Sequence, residues 1–256
     1  MIENPWFYAA AIPSILVWGI AKGGFAGGLG ILAVPMMSLT LPPSQVAGIM
    51  LPILCVMDLG SVWAYRKTWD GRNLLILMPS AILGNALGAL TFAWLNDAAI
   101  QLMVGAIAVA FTLYYWLSRG EQRPPRPRSP WKGTFWGTVS GATSFVSHAG
   151  GPPLAVYLLP QKLDKTVYVG TTAIYFTWVN YAKLVPYYYL GQLSVGNMTT
   201  ALALSPLAPL GVALGLWLHG RVNARLFYRI IYGLTFVSGV KLVYDGLAGL
   251  ARLLPG

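Results

Sequence analysis

The sequence predicts an all-α integral membrane protein in which eight hydrophobic segments form two inverted repeats of four. The first observation behind this prediction is composition. Of 256 residues, 56% are apolar and only 9% are charged, whereas soluble domains carry about 25% charged residues. The second is a mean hydropathy of +0.61. The third is the recurrence of apolar runs long enough to cross a bilayer. So little polar surface excludes soluble enzyme folds.

Eight apolar segments follow one another along the chain. They are 5–40, 45–65, 73–95, 98–118, 131–160, 166–190, 196–218 and 226–250. Six of them have the length of about 20 residues that a spanning helix needs. The first and fifth are too long for one crossing, and each contains a dense run of glycine and proline, residues that end helices. Both long segments are therefore predicted to be two half-helices around a non-helical tip.

A hydrophilic segment divides the chain nearly in half. Residues 119–130 read RGEQRPPRPRSP, which is typical of a solvated, Pro-rich linker. The linker separates a first transmembrane repeat, 1–118, from a second, 131–256. Residues recur across it at separations of 122 or 123 positions, which indicates a duplication. The recurring pairs are Gly48 with Gly170, Gly88 with Gly211, and Trp94 with Trp217.

Charge placement predicts the topology. Of the 17 Lys and Arg residues, 13 lie in the clusters 66–72, 119–132, 162–165 and 221–229. If segments one and five are re-entrant, all four clusters face the cytoplasm, as the positive-inside rule requires. The linker is then cytoplasmic, both termini lie outside, and the two halves are inverted. The alternative is a layout of seven or eight crossings in which the positive-inside rule is followed less strictly.

The two glycine-rich tips are predicted to form one anion site between the halves. Inverted repeats with broken helices are typical of secondary transporters, and non-helical backbone at membrane depth offers N–H groups to small anions. The glycines concerned are Gly23, Gly24, Gly27 and Gly28 in the first tip and Gly150 and Gly151 in the second. Close helix packing is the alternative role for these small residues.

Two ionisable side chains stand at the tips. Lys22 is expensive in a membrane unless it is paired or functional, and snorkelling to an interface is its alternative role. His148 offers a donor to an oxyanion, and its protonation is a candidate means of coupling transport to protons. A neutral histidine bonded to the backbone of its own loop is the alternative.

Further polar residues lie within the apolar segments. Asn180 and Lys183 share a helical face because they are three residues apart, and Asp58 lies 122 residues before Asn180. Asp58 and Lys183 are candidates for an intramembrane ion pair; alternatively, Lys183 and Asn180 bind the substrate and Asp58 tunes Lys183. Asn85 is a weaker candidate for the substrate site, with an interhelical hydrogen bond as the alternative.

Several classes of protein are excluded by what the sequence lacks. Cys55 is the one cysteine and only two histidines occur, so neither a disulfide nor a metal centre is predicted. No cofactor is expected. The cations lie between apolar runs rather than along one helical face, so we expect no nucleic-acid partner but contact with membrane lipid. A homodimer is compatible with the many small residues.

The motifs themselves point to a family. The stretch GGFAGGLGILAVP in the first half, its echo SGATSFVSHAGGPP in the second and the basic loop between them resemble the TauE/SafE family of sulfite and organosulfonate exporters. The resemblance covers essentially the whole chain. The matching positions are Gly23, Gly24, Gly27, Gly28, Gly30 and Pro35, then His148, Gly150, Gly151 and Pro152.

The resemblance implies a secondary transporter, expected to be an exporter rather than an enzyme, in the bacterial inner membrane. Its expected substrates are small sulfur oxyanions such as sulfite, sulfoacetate or other organosulfonates. The anion would bind near the midplane to backbone N–H groups, His148 and one or both lysines, and alternating access would carry it across. An anion channel with the tips as its filter is the alternative.

Overall fold

The computed structural model describes residues 2, 4–26, 37, 40–91, 97–117 and 124–251, and these are helical with no strand. The helices are α1 (Pro5–Gly24), α2 (Pro43–Tyr65), α3 (Gly71–Thr91), α4 (Asp97–Leu117), α5 (Pro130–Ser147), α6 (Gly151–Leu158), α7 (Lys165–Tyr189), α8 (Val195–Leu204), α9 (Leu207–Arg221) and α10 (Ala224–Ala251). A short 3-10 turn, Leu159–Gln161, follows α6. The all-α prediction is confirmed.

Four helices in the described ranges are long and apolar enough to cross a membrane. They are Pro5–Gly24, Gln45–Tyr65, Gly71–Leu90 and Arg225–Ala251. Helices α8 and α9 pass the same test together and meet at a bend of 46°, so they count as a fifth candidate span. Such a set of apolar helices confirms a multi-pass membrane protein. The arrangement in eight segments, four to a repeat, stays a prediction.

The main helix contacts join the two predicted repeats. Helix α1 packs on α9, α2 on α7, α3 on α5, and α4 on α10. Two of these contacts are very close. A Cβ added to Gly24 would lie 2.2 Å from the Gly215 carbonyl oxygen, and one added to Gly84 would lie 2.2 Å from that of Thr138. Small residues are required where helix backbones approach this closely, so the core of the molecule lies between the two halves.

The fifth apolar segment folds back on itself. Helix α5 ends at Ser147, and the left-handed backbone of His148 (φ 53°) turns the chain so that the Ala149 N–H donates to the Thr143 carbonyl at 3.3 Å. Helix α6 then runs back toward the linker, where the Arg126 N–H donates to the Pro160 carbonyl at 2.9 Å. The segment therefore starts and finishes at the same end of the molecule. Its re-entrant placement in a bilayer stays a prediction.

The first segment is described only on its two flanks. The Ile2 N–H donates to Thr200 at 3.1 Å, and the Gln45 amide donates to Asn197 at 3.3 Å, so both flanks lie against α8. The prediction that Gly23 and Gly24 belong to a non-helical tip beginning at Lys22 is wrong, because all three lie in the last turn of α1. The rest of the predicted tip, residues 27–36, lies outside the described residues. Gly27 and Gly28 are among them, and the re-entrant form of this segment stays a prediction.

Described members of the four basic clusters lie at one end of the helical body, which we call the basic end. Arg128 pairs with Asp70 at 2.7 Å, which joins the linker to the α2–α3 loop. Lys165 donates to the His219 carbonyl at 2.9 Å, which joins the start of α7 to the end of α9. Tyr228 of α10 donates to the Leu163 carbonyl. A shared end agrees with the positive-inside expectation; the side of the membrane it faces stays a prediction.

Candidate anion-binding site

A buried ion pair lies at the centre of the molecule. Lys22, two residues before the end of α1, donates to the carboxylate of Asp58 on α2, and both side chains are buried. The other carboxylate oxygen of Asp58 accepts from the amide of Asn180 on α7 at 2.7 Å. The pairing of Asp58 with Lys183 considered from the sequence is therefore wrong. Asp58 is bonded to Lys22 because α1 and α2 are in contact at this level.

Lys183 on α7 lies in a different environment. Its side chain is completely buried, and its ammonium group donates to the Ser144 carbonyl at 2.9 Å and to the Ser144 hydroxyl at 3.1 Å. A third contact, at 2.9 Å, reaches Nδ1 of His148. No carboxylate among the described residues lies within 4 Å of it. Lys183 is thus held by three neutral groups.

With Lys183 as an ammonium group, these contacts assign the tautomer of His148. An ammonium group can only donate, so Nδ1 of His148 accepts from Lys183 and carries no proton. The proton is then on Nε2, which lies 3.2 Å from the Ala47 carbonyl and donates to it. The indole of Trp18 packs edge-on against the imidazole at 5.9 Å between ring centroids. His148 therefore joins both halves of the chain as a neutral side chain.

Two small cavities flank Lys22. The first, of about 30 Å³, is bordered by Lys22, Ser144, His148 and Asn180 together with Trp18, Leu54, Gly151 and Phe176; we call it the His148 cavity. The second, of about 10 Å³, is bordered by Lys22, Ala26, Asp58, Ser61, Thr172, Ala173 and Phe176; we call it the Thr172 cavity. Lys22 and Phe176 line both, so these two side chains separate the cavities.

With Lys183 in its ammonium form, the site carries a net positive charge. Lys22 and Lys183 contribute two positive charges, Asp58 contributes one negative charge, and His148 is neutral, which leaves one positive charge in excess. A buried charge without a partner of opposite sign is costly in a low-dielectric interior. The remaining charge belongs to Lys183, because Lys22 is neutralised by Asp58. Lys183 does not itself line the His148 cavity, but its ammonium group contacts Ser144 and His148, which do.

Three described glycines of the two tips pack against a neighbouring helix, and one lines the His148 cavity. Gly23 and Gly24 face the backbone of α9, where a Cβ on either would lie 2.2 Å from a carbonyl oxygen. Gly150 faces α5, and a Cβ there would lie 2.7 Å from the Ser140 carbonyl. Gly151 lines the His148 cavity. Because Pro152 and Pro153 follow it, the first three positions of α6 supply a single N–H.

Asn85 lies away from this site. Its amide donates to the Val179 carbonyl at 3.1 Å and joins α3 to α7, and its buried carbonyl oxygen has no partner among the described residues. The side chain is absent from the linings of both cavities. The interhelical hydrogen bond considered from the sequence is therefore present, whereas a role in substrate binding stays a prediction.

Sequence reasoning missed four residues of the His148 cavity, which are Trp18, Leu54, Ser144 and Phe176. Trp18 and Phe176 are indistinguishable in the sequence from other aromatic residues of apolar segments. Ser144 had a usable signal, because it follows Lys22 by 122 residues, the separation that relates Asp58 to Asn180. In each half, a lysine therefore links the broken segment to the next helix. Lys22 of α1 bonds to Asp58 of α2, and Lys183 of α7 bonds to Ser144 of α5.

Comparison with known proteins identifies the family. A family model described as sulfite exporter TauE/SafE matches residues 11–242, nearly the whole chain. Searches among curated proteins and among solved structures found no match. Within the described residues, no three His, Cys, Asp or Glu side chains are grouped as a metal site would need. Because the match takes in both halves and the buried lysines between them, the chain belongs to the TauE/SafE sulfite exporter family.

Proposed function

We propose that this protein is a secondary transporter that exports small sulfur oxyanions, such as sulfite, sulfoacetate or other organosulfonates, across the bacterial inner membrane. The family supports transport of a sulfur-containing anion. The observation that carries the proposal is Lys183, a completely buried ammonium group with no carboxylate partner among the described residues. A buried cation of this kind in a transporter marks the place where an anionic substrate is neutralised.

The substrate would occupy the His148 cavity. Lys22 and the amide of Asn180 border this space. Lys183 does not line it, but its ammonium group contacts Ser144 and His148, which do, and it would supply the counter-charge once the walls separate. Gly151 adds the one N–H at the start of α6. A monoanion such as a sulfonate or hydrogensulfite would balance the single excess positive charge. A dianion would leave a negative charge in excess, so its binding would favour a proton on His148.

The cavity volume supports alternating access rather than an open pore. A volume of about 30 Å³ holds one or two water molecules, so the walls must separate before a sulfur oxyanion with several heavy atoms can enter. Phe176 and Lys22 stand between this space and the Thr172 cavity. The helix pairs α1–α9, α2–α7, α3–α5 and α4–α10 each join the two halves, which supports inverted repeats that rock against each other.

His148 would couple the substrate to a proton. Protonation of Nδ1 requires that Lys183 release it, because an ammonium group and an imidazolium cannot share one hydrogen bond. An anion that takes over the ammonium of Lys183 frees Nδ1 for a proton. Substrate and proton would then move together, which predicts transport that accelerates as the pH falls on the side from which the anion enters.

The test is flux of ³⁵S-labelled sulfite in proteoliposomes. We expect saturable uptake that is accelerated by unlabelled sulfite or a sulfonate inside the vesicles, and at least tenfold slower uptake by Lys183→Met. Lys241→Met is the matched control, because it removes the same charge from a lysine that pairs with Asp245 on α10. Non-saturating flux with unitary currents would favour the channel. Equal flux by Lys183→Met and wild type would remove Lys183 from the site.

A further inference from the structure

The Thr172 cavity differs from the His148 cavity in the polar groups that border it. The carboxylate of Asp58 borders the Thr172 cavity, whereas the amide of Asn180 borders the His148 cavity. We propose that the Thr172 cavity binds a sodium ion when an anion in the His148 cavity draws Lys22 away from Asp58. The link to the anion rests on the proposed function, whereas the cation site itself does not.

The hydroxyl groups of the Thr172 cavity can act only as acceptors toward a ligand. Ser61 donates its hydroxyl proton to the Met57 carbonyl at 3.1 Å, and Thr172 donates its proton to the Val169 carbonyl at 2.8 Å. Each oxygen keeps its lone pairs but has no further proton to donate. Together with the carboxylate of Asp58 they bring three oxygen acceptors to one small cavity, and hard cations prefer such ligands.

The end of α1 adds negative potential to the same cavity. Helix α1 ends at Gly24, and Ala26, which has a left-handed backbone (φ 54°), lines the cavity just beyond that end. The carboxyl end of a helix carries a partial negative charge. In transporters with discontinuous helices, Na⁺ is bound at such helix ends. A carboxylate, two hydroxyl oxygens and a helix end therefore all favour a cation here.

The size of the cavity favours sodium over potassium. Its volume of about 10 Å³ is close to the least that can hold one water molecule. A bare Na⁺ ion is smaller than a water molecule, whereas K⁺ is about as large as one. We therefore expect potassium to be a poor substitute.

Lys22 determines when a sodium ion can bind. Its ammonium group is bonded to Asp58 and would repel a second cation, but Lys22 also lines the His148 cavity. An anion in that cavity gives the ammonium group another partner. A buried carboxylate that has lost its cation is costly, so a sodium ion at Asp58 would replace the ammonium group. Anion and sodium then raise each other's affinity by the same factor.

The charges of the site make this exchange most favourable for a dianion. Lys22, Lys183, Asp58 and a dianion such as sulfite together leave one negative charge in excess. A sodium ion at Asp58 restores neutrality, as a proton on His148 also would. With a monoanionic sulfonate the buried charges already balance, so we expect sulfite to promote sodium binding more strongly than a sulfonate does.

The test is equilibrium binding of ²²Na⁺ to the purified full chain in detergent, at pH 8 in choline chloride of constant ionic strength. Wild type should bind ²²Na⁺ at least about fivefold more tightly with saturating sulfite than without it, the lower end of ordinary coupling between two sites. Potassium chloride should compete poorly with ²²Na⁺.

Variants of Thr172 locate the ion. Thr172→Val should weaken ²²Na⁺ binding by about tenfold or more, as the loss of a supporting polar group commonly does at a metal site. Thr172→Ser keeps the hydroxyl and should bind as wild type does. Thr177→Val is the matched control on α7, because it removes a hydroxyl that donates to the Ala173 carbonyl at 2.8 Å and lies about 140° around the helix from Thr172.

Lys22→Met tests the cation site without any anion. It leaves Asp58 without its cation, so it should bind ²²Na⁺ more tightly than wild type does in the absence of sulfite. Sodium chloride should also raise its thermal midpoint above the value in choline chloride, because a ligand of the folded state stabilises it. Lys22→Met/Asp58→Asn should lose both effects.

The outcomes separate this proposal from the proposed function. Equal ²²Na⁺ binding by Thr172→Val, Thr177→Val and wild type would overturn the sodium site, and so would a Lys22→Met protein that is folded and indifferent to sodium. Sulfite bound with equal affinity in sodium and choline would overturn the link while leaving the proposed function intact. Sodium binding by Lys22→Met in a protein that binds no sulfite would support the site and contradict the proposed function.

Discussion

The side-chain amide of Asn180 donates to the carboxylate of Asp58 at 2.7 Å, across 122 residues of sequence. This separation is the one at which the two predicted repeats match. Under a two-fold relation between the repeats, equivalent residues contact each other only near the axis. The ion pair between Asp58 and Lys22 would therefore lie where the two halves meet and move, with the His148 and Thr172 cavities on either side of it.

Removal of Lys22 tests the buried ion pair. We expect Lys22→Met to destabilise the fold by about 3–5 kcal/mol, because it leaves the carboxylate of Asp58 buried without its cation. Lys22→Met/Asp58→Asn should recover most of this loss, since no charge remains unpaired. Thermal unfolding in detergent measures both. A double variant no more stable than Lys22→Met would contradict this account. As a control, Lys241→Met should cost less than about 1 kcal/mol because its ion pair is partly exposed.

Phe176 is expected to act as a barrier between the two cavities. Phe176→Ala removes the ring that lines both and should join them into one space. Sulfite flux in proteoliposomes should then increase severalfold and lose its acceleration by substrate on the opposite side. Phe135→Ala is the control, because Phe135 is about half exposed and lines neither cavity. Counter-flow as strong in Phe176→Ala as in wild type would show that the ring is not a barrier.

A separate test asks whether the glycines of α1 serve helix packing or anion binding. Gly24→Ala brings a methyl group into the Gly215 carbonyl and should cost about 1–3 kcal/mol through overpacking. Gly233→Ala, where a Cβ meets no atom within 4 Å, should be neutral or slightly stabilising because alanine favours helix. The thermal midpoints of both variants provide the comparison. A Gly24→Ala protein with unchanged midpoint and lost sulfite binding would favour the anion-site role instead.

Stability at low pH should depend on Asp70. Partial burial would raise the pKa of this carboxyl, but hydrogen bonds from Asn73 and Arg128 and the charge of Arg128 lower it below its usual range. A depressed folded-state pKa contributes stability above the unfolded value of about 3.9, which is lost as the pH falls through the folded value. Asp70→Asn should therefore unfold at a lower temperature than wild type at pH 7. Its thermal midpoint should also decrease less than that of wild type between pH 7 and pH 3.

The matched comparison for that prediction is Arg128→Gln. It removes the cation that pairs with Asp70, so it should lower the thermal midpoint at pH 7 in the same direction. The Asp70→Asn/Arg128→Gln double variant should be no less stable than the less stable of the two single variants, because both single substitutions remove the same interaction. Midpoints of Asp70→Asn and wild type that fall in parallel between pH 7 and pH 3 would show that Asp70 contributes nothing.

Part of the site could be predicted from the sequence because charges are rare in its apolar segments. Lys22, Asp58 and Lys183 stand out for that reason, and His148 interrupts an apolar run beside glycine and proline. Their partners could not be predicted, because ion pairing depends on which helices touch. Helix α2 contacts both α1 and α7, and the residue of α7 that meets Asp58 is Asn180, which leaves Lys22 of α1 as its cation.

The helices were easier to predict than their packing. Apolar segments of about 20 residues appear as α2, α3, α4, α7 and α10, whereas segment seven is split between α8 and α9 at Ser205–Pro206. The positions of proline in the sequence did not distinguish the continuous helices from the broken one. Pro52 and Pro79 are accommodated inside α2 and α3, because neighbouring helices and local adjustments satisfy the freed backbone groups.

The central claim is that Lys183 binds the anionic substrate, and equilibrium binding of ³⁵S-labelled sulfite to the purified protein tests it most directly. A charge-assisted hydrogen bond contributes about 1.5–3 kcal/mol, so Lys183→Met should weaken binding by roughly 10- to 150-fold. Lys241→Met should bind as wild type does, and an organosulfonate should compete while a small carboxylate competes poorly. Sulfite binding of equal affinity in wild type and a folded Lys183→Met protein would contradict the account.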